Sequence, residues 1–130
     1  MADAPTATVA KWRRLTDLLL KLTEIGKISW EKTAQEGKYL TSMGSETIVL
    51  QEMEAVDERG NPHPFFKISI HNFIDEEVDS FTDDDIGGMP YFSRIRDMIR
   101  VIERKATGAE ETLDELISRL DELDPDRIPF

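Results

Sequence analysis

Three arginines, Arg96, Arg100 and Arg104, recur every four residues in a segment whose apolar positions have helical periodicity. That spacing lines three guanidinium groups along one side of a helix. A guanidinium fork grips phosphate or carboxylate oxygens in bidentate fashion. The ladder is therefore a candidate site for an anionic ligand or an acidic partner segment. The competing fate is internal pairing, with Asp97, Glu103 or acids elsewhere in the chain, which is how charged helix faces usually end. Trp30, beside Glu31-Lys32-Thr33, is a candidate pocket wall.

Other reactive chemistry is sparse. His63 lies in a proline-flanked turn, and His71 lies two residues past Ser69 on the polar side of a strand pattern. Strand residues i and i+2 stand parallel rather than converging. No zinc-protease helix motif, phosphate-binding loop or dinucleotide fingerprint is present. The chain has no cysteine, which removes thiolate nucleophiles and zinc–thiolate sites. Asp83, Asp84 and Asp85 are consecutive, whereas calcium loops stagger their oxygens. The expectation is a protein with no catalytic set, no metal and no cofactor.

Acid is unevenly distributed. Between Thr41 and Ile86 twelve carboxylates face two bases, Arg59 and Lys67, so this middle segment carries nearly all of the net charge of -11. Such a surface repels phosphates and anionic headgroups, so direct nucleic-acid binding is not expected. No apolar run approaches the ~18 residues of a membrane span. The first residues lack a basic and apolar leader pattern. A cytoplasmic location follows as the expectation.

These residues must be positioned by elements that the pattern suggests. Val9 to Ile25 carries apolar residues over a wide helical arc that includes Val9, Trp12 and Leu20. An ordinary surface helix has a narrower stripe, so these three are candidate interface residues for a homodimer or a protein partner. Thr6 or Thr8 is placed to cap the helix and Gly26 to stop it. Alternating segments follow around Ile28–Trp30, Tyr39–Met43, Glu46–Met53 and Pro64–Ile74, with turns near Gly37, Gly44 and Gly60. Asp75 to Asp85 carries seven acids and no base and reads as a mobile loop, with Val78 and Phe81 forming at most a short edge strand. After Gly87-Gly88, Pro90 opens a helix and Thr107 with Glu110 has the form of a capping box for a last one. Leu113, Leu116, Ile117, Leu120 and Leu123 give that last helix one apolar face.

The predicted class is α+β: an N-terminal helix, an antiparallel three- to four-stranded meander, and a C-terminal helical hairpin packed on one sheet face. Residues 1–7 and 125–130 read as tails around a single domain at 8–124. The functional expectation is a small acidic non-enzymatic interaction or regulatory module. A sensor of a small anionic ligand and an acidic inhibitor that imitates nucleic acid are the alternatives.

Overall fold

Apolar residues at helical spacing in the first segment form α1 (Thr6–Glu24) in the computed structural model, which describes residues 4–126. The helix starts inside the segment read as a tail. Pro5 occupies the N-cap position and no side chain caps it, so neither Thr6 nor Thr8 plays that role. Gly26, at φ +80°, is the left-handed residue after the helix.

Five strands follow in a simple meander: β1 (Glu31–Lys32), β2 (Lys38–Met43), β3 (Glu46–Val56), β4 (Pro62–His71) and β5 (Glu77–Thr82), each antiparallel to the next. The chain is α+β as the pattern predicts, with a longer sheet than expected. β2 and β3 join through Gly44-Ser45. Gly44 has φ +64° at the first turn position, which is where a type II′ hairpin needs a glycine. The register puts Ile48 opposite Ile70, Leu50 opposite Ile68 and Ile68 opposite Phe81. One sheet face is therefore apolar across three strands.

α2 (Asp83–Ile86) is a single turn, α3 (Met89–Thr107) is long, and α4 (Ala109–Leu123) follows it. α1, α2 and α3 stand on the apolar face; of the two helices expected as a hairpin there, α3 packs on the sheet and α4 adds no buried residue to the core. The core joins Leu50, Phe66, Ile68 and Phe81 of the sheet to Leu19 and Leu20 of α1 and Ile95, Met98 and Ile102 of α3. The opposite face carries Lys67, Ser69 and His71 between their cross-strand neighbours.

The acidic segment holds the edge strand allowed for at Val78 and Phe81 and a helical turn, which corrects the reading of most of it as loop. Glu77–Thr82 pairs with β4 as an edge strand, with a bulge near Ile70 and His71. Thr82 and Asp85 cap α2 reciprocally, with the Thr82 N–H donating to Asp85 Oδ2 at 2.8 Å. Phe81 is fully buried and supplies the anchor. Burial of one aromatic on this strand outweighs repulsion among its exposed carboxylates, Glu77 and Asp79.

Candidate functional site

α4 has the sequence AEETLDELISRLDEL. Leu113, Leu116, Leu120 and Leu123 are spaced three, four and three apart, which is the a/d seam of a heptad, and Ile117 widens it. Glu110, Glu111, Asp114, Glu115, Asp121 and Glu122 occupy the other sides. Such a stripe normally packs against something. Here no residue of α4 is buried: Leu116 is 46% exposed, Leu120 63% and Leu123 79%. A helix of fifteen residues is marginal in water without tertiary packing. Full burial of each leucine would contribute roughly 1.5–3 kcal/mol.

The joint explains why α4 does not cover itself. Gly108 alone separates α3 from α4, at φ +69°. Two helices that fold back on each other need a loop of about 2–5 residues. Across the joint, Arg104 Nε donates to Glu110 Oε1 at 2.7 Å and fixes the turn. The capping box expected from Thr107 and Glu110 is absent, because Thr107 Oγ1 donates to the Arg104 carbonyl and Glu110 is held by Arg104.

A groove runs between α1 and α3. Its larger part is a cavity of about 360 Å³ lined by Leu20, Lys21, Thr23, Arg94, Met98 and Val101, among others. Its continuation, about 200 Å³, shares Thr23 and Val101 and adds Ile28, Trp30, Lys105 and Ala106. Val101 stands where the two parts meet and is 38% exposed. Among the described residues neither Lys21 nor Lys105 is ion-paired, although acids outnumber bases 27 to 16 in the chain.

The residues singled out in the sequence fall in several places. Trp30 does line a pocket wall, half-buried, with its indole N–H donating to Thr23 Oγ1 at 2.9 Å. Leu20 is 8% exposed and belongs to the core, so it is not an open interface residue; its edge only floors the groove. Trp12 stacks on Phe81 with centroids 5.1 Å apart and donates from Nε1 to Asp79 Oδ2 at 2.9 Å. Val9 is half-buried. The wide apolar arc of the first helix is thus largely consumed by the sheet and α3. Of the ladder, Arg96 and Arg100 share Asp97 Oδ1 at 3.8 and 3.7 Å, and Arg104 is taken by Glu110. The three do not converge on one point.

Two further clusters are formed: the Ser69–His71 pair, whose side chains meet although strand neighbours are expected to stand parallel, and a trio around Glu103 that the sequence did not suggest. Ser69 Oγ lies 3.3 Å from His71 Nε2, and His71 Nδ1 lies 3.5 Å from Asp75 Oδ1. The order resembles a nucleophile, base and orienting acid. Ser69, however, is buried beside its cross-strand partners Val49 and Ser80, and Asp75 is almost wholly solvent-exposed. Burial of Ser69 restricts approach to the hydroxyl, and a solvated carboxylate holds an imidazole loosely. Separately, Glu103 accepts hydrogen bonds from Lys32 Nζ at 2.8 Å and from the Tyr39 hydroxyl. The lysine, and then the phenol, hold the Glu103 carboxyl below its usual range. Burial, and then the bond to Glu103, push the Tyr39 phenol up, so it stays a neutral donor. The trio ties β1 and β2 to α3.

The leucine face of α4 was legible as apolar, but its exposure was not. The signal was the single residue between the two last helices. Compared with protein-family models, with curated proteins and with solved structures, the chain matches none.

Proposed function

We propose that this chain is a protein-interaction module that acts by docking the leucine face of α4 against another polypeptide. The observation that carries the reading is the exposure of Leu113, Leu116, Ile117, Leu120 and Leu123 on one side of a regular helix. Five large apolar residues aligned in water mark a contact surface. The acids around the stripe keep it soluble while free and favour a partner with basic groups at its rim. The paired arginines of α3 support no separate anion-sensing role.

The test compares the parent chain with the double substitution Leu116→Asp and Leu120→Asp, whose fold is checked by circular dichroism. Association of the chain with itself, measured by light scattering, and with proteins of the native cell, measured by affinity capture, are both recorded. The reading expects at least one association to be lost in the substituted chain. Identical association of both chains in both measurements would refute it.

A further inference from the structure

We infer that the occupant of the α1–α3 groove is α4 of a second copy of the same chain, exchanged reciprocally across a two-fold axis. This rests on the reading of α4 as a docking face and names its partner. Four observations meet. The stripe needs a cover, and the one-residue joint at Gly108 keeps α4 from folding back along its own α3. The groove offers an apolar floor of Leu20, Met98, Val101 and Trp30. At its rim Arg94 is held by Asp17 at 3.1 Å and Asp97 by Arg96 and Arg100, which leaves Lys21 and Lys105 against Glu24, a local excess of one base in a chain of charge -11. α4, by contrast, has one base, Arg119, among its carboxylates. An acidic leucine helix and a basic apolar groove on one chain are complementary to each other.

Dimensions agree. The leucines span Leu113–Leu123, ten helical steps or about 15 Å. The groove runs along α3 from Arg94 to Lys105, eleven steps or about 16 Å. Because each copy has one helix and one groove, a two-fold arrangement satisfies both at once and closes at the dimer. A direct pairing of α4 with α4 would cover only the stripes and leave both grooves open.

Absence of cysteine makes the test clean. Chains carrying Val101→Cys are mixed with chains carrying Ile117→Cys and treated with a short bismaleimide linker. Both positions lie near the middle of their surfaces, so either helix direction brings them close. The expected result is a cross-linked heterodimer, together with a dimeric mass for the parent chain at micromolar concentration. Reversing the rim charge with Lys21→Glu and Lys105→Glu should raise the dimer dissociation constant at least ten-fold without changing the circular dichroism. Ile117→Cys chains that link only to each other would overturn the groove as the site, and would leave α4 as a docking face intact. A monomer at every concentration up to 100 µM would overturn the second copy as occupant. The docking-face reading itself would then stand or fall on the affinity capture with the doubly substituted α4.

Discussion

Asp83 Oδ1 accepts the backbone N–H of Phe66 at 2.7 Å. This bond joins the first residue of the one-turn helix α2 to the middle of β4, which runs through the core. Both residues are buried. The most acidic stretch of the chain is therefore anchored at its end by one of its own carboxylates. Burial, ahead of the neighbouring charges of Asp84 and Asp85, pushes the Asp83 carboxyl above its ordinary value, against the lowering effect of the Phe66 bond.

Asp83→Asn should therefore be tolerated, and Asp83→Ala should not. The amide keeps an oxygen for the Phe66 N–H and removes a desolvated charge. Alanine leaves a buried donor unmade, at about 1–3 kcal/mol. The pH dependence separates the two effects. A raised folded-state value means that the native protein holds this proton more tightly than the unfolded chain. The contribution of Asp83 is then greatest below the unfolded value and is lost as pH rises from there towards the folded value. Thermal unfolding across the acidic range should show this decline in the parent and not in Asp83→Asn. A larger loss in Asp83→Asn than in Asp83→Ala would contradict it.

Hydrogen exchange should rank the segments in an order that the charge pattern alone does not suggest. Phe81 and Thr82, in a paired strand beside the α2 cap, should be protected. α4 should exchange fastest among the helices in dilute protein, because none of its residues is buried. Protection of α4 should then rise with protein concentration. Concentration-independent protection of α4 would mean that it is covered within one chain.

The class and the order of elements were readable because periodicity reports which side of each element is wet. Phe66, Ile68 and Ile70 alternate cleanly with Lys67, Ser69 and His71, and the register follows. β5 is legible only as a short edge strand at Val78 and Phe81, because Glu77, Val78 and Asp79 are exposed and only Phe81 reveals the buried side. Composition outweighed a single aromatic. The first helix was read as too apolar for one partner, yet it meets the sheet, α2 and α3, and Trp12 finds Phe81 sixty-nine residues away. Such long-range pairing leaves no local mark. The exposure of α4 is hidden for a related reason: its stripe is identical whether covered or not.

Glu103 gives a second pH signature, opposite in sign to that of Asp83. Its folded value is lowered, first by Lys32 and then by Tyr39. Its contribution is therefore present above the unfolded value and is lost as pH falls through the folded one. The pair with Lys32 is partly exposed, so solvent screening limits the effect to about 1 kcal/mol or less. Glu103→Gln should lower the melting temperature slightly at neutral pH and not at all in acid. Tyr39→Phe should cost about 0.5–1.5 kcal/mol through the lost hydroxyl bond. An unchanged neutral-pH melting temperature in both variants would show that the tie between the sheet edge and α3 is idle.

The arginine ladder provides the last prediction. Arg96, Arg100 and Arg104 lie on one side of α3, but Asp97 stands between the first two and Glu110 holds the third. An anion would have to displace these carboxylates in a chain of charge -11. Arg100 is the most exposed of the three and has only a long contact to Asp97. Arg100→Ala should therefore change stability by less than about 0.5 kcal/mol. The difference should shrink further in high salt, because exposed pairs are screened. Nucleotides and polyphosphates at millimolar concentration should leave the melting temperature of both chains unchanged, since a ligand raises it only by binding the folded state. Arg104→Ala should behave differently. It frees Glu110 and the joint at Gly108, so the exchange of the first turn of α4 should quicken while the rest of the fold keeps its protection. A polyphosphate-dependent rise in the parent that disappears in Arg100→Ala would restore the ladder as an anion site and make α4 its neighbour rather than the working surface.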